Sequence, residues 1–580
     1  MSSPFLPMSL SEMKRLGFNE LDILIVTGDA YVDHPAYGAA LIGRLLESKG
    51  YKVGIIAEPD WRDPESFIRL GRPRLAALIT AGAVDSMIVN YTANKRLRRD
   101  SYSYMPDRAS IVYTNRIRAA FKGIPVILGG TEASMRRLAH YDYWDDSPRR
   151  SLLLDSKADM IVYGMAERPI VEVINRLNNQ EPISSIRDVA GTVVAVKPSE
   201  VPSTAVMLPS FEEVLKDKIL FNKAFALVYR EMNAVRGKPV AQPHADRVVL
   251  QLPPAKPLTT QELDNSYDLP YARRWHPAYD AKGGVKGFEV VRWSITAVRG
   301  CPADCSFCGL TMHQGRVIQS RSERSILQEV DRMVKDRDFR GTITDVGGPT
   351  ANLYAASCKV WDKAGPCSNK QCMMPHQCPS LELGYAKALS LYRSIRRVKG
   401  VKHVFIGSGL RYDLLVEPES QEYLRELCEH HISGQMKVAP EHTQDKVLRL
   451  MNKPSYLVYE RFVEQFEKIN RKLPSRRYLV NYFITSHPGC DLNDAKACAE
   501  VLDRRGMRPE QVQDFIPLPM TMSACLYYTG THPITGERLY VPKTHKERTM
   551  QRALIQLQNE KSYPLIAKAK SILSNPRRKS

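Results

Sequence analysis

The chain has 580 residues, of which 43% are hydrophobic and 25% charged, and a formal net charge of +20. That length exceeds what one hydrophobic core usually serves, so two or more domains are expected, and the apolar and charged fractions exclude a disordered or fibrous chain. No run of about 18 uncharged apolar residues occurs, which excludes a membrane-spanning helix, and residues 1–18 lack the apolar stretch behind a basic start that marks a secretory leader.

The first part alternates strands and helices. Residues 21–27 (LDILIVT) form a short apolar run bounded by Gly28-Asp29, the pattern of a buried strand. A helical period over 35–49 stops before Gly50, and 52–56 is strand-like. Residues 86–91 (SMIVNY) and 125–129 (PVILG) are two more strand-like runs, and 160–164 followed by 167–177 is another strand–helix pair. Such alternation predicts a parallel sheet covered on both faces, with ligands beyond the carboxyl ends of its strands. Asp29, Asp33, His34, Gly129, Gly130, Thr131 and Glu132 fall at such ends, where each is equally suited to a turn or a cap. Further on, Ser210 with Glu213 reads as a capping box over helical residues 210–229. The proline-rich stretch 238–287 is expected to be a connector without a fold of its own.

A strand over 289–298 runs straight into Arg299-Gly300-Cys301-Pro302-Ala303-Asp304-Cys305-Ser306-Phe307-Cys308. Helices over 322–334, 382–397, 421–430, 443–451, 459–472 and 494–505 alternate with strands over 341–346, 403–407, 478–484 and 512–516, which predicts a partial (β/α) barrel. Barrel active sites lie at the C-terminal ends of the strands, and the motif loops all fall there. Cys301, Cys305 and Cys308 have the spacing C-x3-C-x2-C. Four cysteines close a cubane cluster for electron transfer, whereas three leave one iron open. A zinc knuckle is the competing reading. Eleven cysteines, three of them in a cluster spacing, imply a reducing compartment, expected to be the cytoplasm.

Around this motif the chain resembles the radical SAM superfamily, whose open iron is ligated by S-adenosylmethionine. The resemblance implies reductive cleavage to methionine and a 5′-deoxyadenosyl radical, with the electron from a reductant such as flavodoxin or ferredoxin. It places Gly347, Gly348 and Pro349 in the loop that receives the methionine amino group, with Pro349 replacing the usual acid. Ser408 would contact a ribose hydroxyl and Arg411 a carboxylate, or they are a turn serine and a surface arginine. Residues 437–454, with Glu441 and His442, resemble the methylthiotransferase branch, as do His487-Pro488-Gly489 and 517–521, expected to pack on the adenine. Residues before the core resemble a cobalamin-binding-like Rossmann domain. Asp33-His34-Pro35-Ala36-Tyr37-Gly38 departs from Asp-x-His-x-x-Gly in spacing, which argues against His34 as a cobalt ligand.

An insertion after the glycine loop holds Cys358, Cys367, Cys372 and Cys378 in the order C-x8-C-x4-C-x5-C, with His376 inside. A second iron–sulfur cluster, a zinc site or a reduced-thiol loop would each fit. Cys428, Cys490, Cys498 and Cys525 read as isolated core cysteines. Taken over nearly its whole length, the chain resembles a YgiQ-type radical SAM protein. The expected organisation is a Rossmann-like domain over 1–185 and a loop-rich connector over 186–288. A radical SAM core follows over 289–525, with a cysteine-rich insertion at 355–380, then a basic helical extension over 526–580. The expected function is a radical SAM enzyme acting on an unknown substrate. Two alternatives are an RNA-modifying methylthiotransferase-like enzyme and a non-catalytic iron–sulfur scaffold. The charge would suit RNA, but the basic runs (95–99, 149–150, 396–397, 476–477, 577–579) are short and dispersed, and no cysteine precedes Cys301 to hold a second N-terminal cluster.

Overall fold

The computed structural model describes residues 5–98, 105–368, 370–556 and 562–574; the basic positions 99 and 577–579 lie outside them. The chain forms two compact units. The first runs to Arg292 and includes short returns at Met312–Gly315 and Lys363–Pro366; the second holds Trp293–Thr311, Arg316–Asp362 and the chain from Cys367 onward. Among the described residues no helix is long and apolar enough to cross a membrane.

The first unit is built on a nine-stranded sheet. Ile23–Thr27, an ILIVT run buried at every position, lies between Val53–Ala57 and Ala76–Thr80, and Val126–Leu128 and Met160–Val162 continue the sheet outward. These five strands are all parallel. Apolar runs buried on both faces suit a parallel sheet covered by helices, here Gly38–Glu47, Ala109–Ala120 and Glu167–Asn178 among others. Two expectations are corrected. Residues 86–91 are not a strand: Ser86–Asn90 is a helix, started by the Asp85 carboxylate accepting from the Met87 N–H. A short apolar run does not distinguish strand from buried helix, and the N-cap decides it.

The stretch 186–288 is likewise not a bare connector. Thr192–Val196, Arg247–Gln251 and Val240–His244 extend the sheet antiparallel, and Val206–Met207 closes the edge. Pro243 is accommodated because it lies beyond the two-residue pairing of Val206–Met207. The Ser210–Glu213 capping box is present and opens Phe211–Lys216.

The polar residues at the strand ends of this unit hold the fold together. Asp29 accepts from Ala83 N–H at 2.7 Å, and buried Asp33 pairs with Arg44 at 2.7 Å. The Glu132 carboxylate accepts from Ser86 and Ser110, and the Thr131 hydroxyl donates to the Ala83 carbonyl. His34 is buried, with the Ala36 N–H at 3.1 Å from Nδ1 and an Arg273 nitrogen at 2.9 Å from Nε2, so neither ring nitrogen is presented to a ligand.

The second unit opens on Ser294–Thr296; of the strand expected over 289–298, the first residues are instead the helix Phe288–Arg292. Parallel pairings then link successive stretches of the chain. Ser294–Thr296 pairs with Asp345–Gly347, and Thr342–Ile343 pairs with His403–Val404. Leu410 bridges to Val438, Gln435–Glu441 pairs with Tyr478–Thr485, and that strand pairs with Gln511–Asp514. This is a partial (β/α) barrel. Its helices Glu323–Val334, Tyr385–Arg397 and Tyr456–Asn470 lay Ile326, Val330, Leu391, Ile395, Phe462 and Phe466 onto the strands. The basic C-terminal helices His545–Ile555 and Tyr563–Ser574 pack apolar faces against Leu492–Arg504 through Ala495, Ala499, Leu554, Ile566 and Ala569. Cys428, Cys490, Cys498 and Cys525 are buried in the interior as expected.

Candidate active site

The three motif cysteines lie on one loop that follows Val298–Arg299, a strand turned back by Gln319–Ser320. Gly300 must be glycine: its φ is +82°, and a Cβ would stand 2.1 Å from the Val317 carbonyl oxygen. The loop is clamped from distant elements. The Asn452 side-chain amide donates to the Ala303 and Asp304 carbonyls at 3.1 and 2.8 Å. Ser306 N–H donates to Met451, and Ser523 N–H donates back to Ser306. Phe307, the aromatic of the motif, packs edge-on against His487.

All three cysteines are free thiols. Burial pushes the Cys301 thiol up, with neighbouring Cys305 adding and Arg411 opposing, and pushes Cys308 up to about 12. The Thr350 side chain hydrogen-bonds Cys301. Arg411, itself buried, stands 3.5 Å from the Cys305 sulfur and clasps Asp413 at 2.6 Å, so the carboxylate it was expected to bind is supplied by the chain. Thiols in such surroundings ionise when a metal compensates the charge, and three soft thiolates suit iron–sulfur ligation. Three free thiols on one loop, with a buried guanidinium beside one of them, are a donor set that fits the group.

The neighbouring strand ends complete the site. After Asp345–Gly347 the chain turns through Gly348, Pro349 and Thr350. A Cβ on Gly348 would lie 2.1 Å from the Val298 carbonyl oxygen, and one on Gly347 would lie 2.7 Å from Ser408 Oγ. The Asp345 carboxylate accepts from the Gly407 and Ser408 N–H groups and from the Ser408 hydroxyl. Ser408 has therefore committed its proton to Asp345 and can meet a ligand only as an acceptor.

Glu441 ends the strand Gln435–Glu441, where the register to Tyr478–Thr485 shifts. Its φ is +66°, and its buried carboxyl is pushed up to about 7 by burial, against the opposing pull of Lys453 and Arg411. Lys453 Nζ stands 3.8 Å away and lies over the Tyr412 ring. His442 does not share this position. It is buried between the Gln444 N–H and the Cys490 sulfur, and burial pushes it down to about 3. His487, hydrogen-bonded to Ser523 at 2.6 Å, is likewise an interior group under the cysteine loop. The structure thus gathers the cysteines, the glycine loop, Ser408, Arg411 and Glu441. Asp345 is not singled out from the sequence, where the available signal is an acid two residues ahead of the Gly-Gly turn; Thr350, Asn452 and Lys453 fall in the glycine loop and in 437–454 but are given no role there.

The insertion packs Trp361, Met373 and Leu381 in one apolar cluster with Ala303, Leu353 and Leu414. Cys358 pairs across from Leu381, Cys372 is buried, and His376 is exposed.

Family models match successive parts of the chain. Residues 5–294 match a family model described as radical SAM N-terminal, 295–502 match the radical SAM superfamily, and 510–575 match a domain of unknown function. A UPF0313 protein of Clostridium botulinum is 50% identical over 97% of this chain and 89% of its own length. One from Methanocella arvoryzae is 49% identical over 97% and 94%, and one from Methanosarcina mazei 46% over 97% and 96%. Among solved structures, the radical S-adenosylmethionine methyltransferase TsrM from Kitasatospora setae matches with TM-score 0.49 and 14% identity, over 86% of this chain and 75% of that one. The cobalamin-dependent S-adenosylmethionine radical enzyme OxsB matches at 0.47 and 10%, over 95% and 63%. The chain belongs to the UPF0313 family, and it is a radical SAM enzyme that cleaves S-adenosylmethionine with a 4Fe–4S cluster.

Proposed function

We propose that Cys301, Cys305 and Cys308 hold that cluster and that Gly347, Gly348, Pro349, Ser408 and Glu441 line the S-adenosylmethionine site. The observation that supports this most is the convergence of the thiols and the glycine turn at the C-terminal ends of adjacent parallel strands, tied through Gly348 against Val298. One electron delivered to S-adenosylmethionine at the bound cluster supplies the 5′-deoxyadenosyl radical. The chain's residues bind, orient and exclude. Gly347 and Gly348 offer backbone without side chains, so a ligand approaches closely. Arg411 places a buried positive charge against the Cys305 thiolate. Asp345 fixes the loop that carries Ser408. Glu441, poised near neutrality, can hold or release a proton at its carboxyl oxygen.

The substrate supplies an unactivated C–H. A flavodoxin- or ferredoxin-type donor supplies the electron, and the reducing compartment this needs is the cytoplasm. A second metal group belongs to Cys358, Cys367, Cys372 and Cys378. RNA is the less favoured substrate, because the cysteines that methylthiotransferase-like enzymes carry ahead of the core are absent here. The test is anaerobic reconstitution with iron and sulfide, then dithionite and S-adenosylmethionine, assayed for 5′-deoxyadenosine. Product is expected from the wild type and none from Cys305→Ala. Equal product from both would remove the ligand assignment.

A further inference from the structure

The insertion between the glycine loop and Tyr385–Arg397 is folded around its cysteines, and backbone bonds bring them together in succession. Cys358 lies opposite Leu381 in the antiparallel pairing of Ser357–Cys358 with Leu381–Glu382. Leu381 N–H donates to the Cys378 carbonyl at 2.9 Å, and Cys378 N–H donates to the Cys372 carbonyl at 2.8 Å. The fourth arm is held by one side chain. Arg316 donates to the Cys367 carbonyl at 3.1 Å and to the Lys370 carbonyl at 3.2 Å. All four cysteines are free thiols. Cys372 feels the other three thiols as well as Arg316, and burial drives it up to about 11. The insertion's apolar side chains Trp361, Met373 and Leu381 pack in one cluster with Ala303, Leu353 and Leu414, so the cysteines are held against a formed core.

We infer that Cys358, Cys367, Cys372 and Cys378 ligate a second, fully thiolate-bound 4Fe–4S cluster. This deepens the metal assignment proposed above but uses ligands separate from Cys301, Cys305 and Cys308. What favours a cluster over zinc is the neighbourhood: a redox-active group here would stand beside the radical site. Four thiolates leave the metal group net negative whether it is zinc or a cubane, and Arg316, mostly buried, stands beside it, with Asp304 3.9 Å away. Cys301 and Cys305 pack on the same apolar cluster as Cys358 and Cys378, so the two groups are neighbours. With every iron bound by protein, no corner is open to a substrate. The group is a one-electron carrier.

The test reads the two groups apart. Reconstituted wild type is expected to hold about eight irons and eight sulfides per chain, and the triple variant Cys301→Ser, Cys305→Ser, Cys308→Ser about four of each. The dithionite-reduced triple variant should give a cluster EPR signal that S-adenosylmethionine leaves unchanged. The quadruple variant Cys358→Ser, Cys367→Ser, Cys372→Ser, Cys378→Ser should lose that signal and keep the one that responds to S-adenosylmethionine. Mössbauer spectra of the wild type, which needs no variant to fold, should show the iron of two clusters rather than one. A folded triple variant without iron or sulfide overturns the inference, as does zinc bound without sulfide. Loss of all metal in the quadruple variant alone would instead overturn the assignment of Cys301, Cys305 and Cys308.

Discussion

Glu441 combines two unfavourable features at one position. Its backbone is left-handed, which costs a non-glycine residue on the order of 1–3 kcal/mol, and its carboxyl is buried among Lys453, Arg411 and Cys308. Its value of about 7 in the fold lies above the ordinary 4.5. The folded chain therefore binds more protons than the unfolded chain between those values. Stability from this group is full at low pH and is lost as pH rises from about 4.5 through about 7, by up to about 3 kcal/mol. Glu441→Gln cannot titrate, so the variant should lack that loss. Urea unfolding of the cluster-free protein between about pH 5 and about pH 8 measures it. The wild-type midpoint should fall across the range more than that of the variant, and parallel curves would assign the titration to another group.

At the scale of elements, the site depends on how closely the first two barrel strands approach. Gly348 sits where a methyl group would meet the Val298 carbonyl at 2.1 Å, and backbone cannot move aside as a flexible side chain can. Gly409, on the next strand-end loop, has nothing within 4 Å of the place a methyl group would take. Gly348→Ala should therefore cost more than about 2 kcal/mol, while Gly409→Ala should stay within about 0.5 kcal/mol of wild type. Thermal unfolding of the pair reads the contrast, and equal effects would mean that the strand pairing tolerates separation. The same closeness explains what sequence reading could and could not reach. Strand, turn and helix recur in phase through the barrel, and the Cys301–Cys308 spacing states its own chemistry, so both were legible. Ala76–Thr80 was missed because its AALIT run is short and weakly β-branched, while SMIVNY at 86–91 looks like a better strand until Asp85 is seen to cap a helix. The sheet extension over 192–251 was hidden by its prolines. The roles of Asp345 and Asn452 were out of reach for another reason: Asp345 acquires its role from Ser408, 63 residues away, and Asn452 from Asp304, 148 residues away.

For the molecule as a whole, the charge of +20 arises from 83 Lys and Arg against 63 Asp and Glu. Arg137 is fully buried, bonded to the Gln251 side chain and the Ser134 carbonyl, and burial pushes it down to about 10. Arg44, Arg136, Arg321 and Arg411 are also buried, each paired with an acidic side chain. Ion pairs, such as that of Arg176 with Glu181 and Asp188, leave the net charge unchanged, but the basic runs at 95–99, 149–150, 396–397 and 476–477 are short and dispersed. A nucleic-acid surface needs unpaired cations along a common track, because affinity comes from counterions released by free Lys and Arg at phosphates. The protein should therefore bind RNA only non-specifically, with Kd of about 10⁻⁶–10⁻⁴ M near physiological salt and weakening steeply as salt rises. Fluorescence anisotropy with a labelled, structured RNA over about 0.05–0.3 M potassium chloride measures both. Nanomolar binding that survives the upper end of that range would place recognition in base or shape contacts rather than charge, and would move RNA from the disfavoured to the leading substrate class.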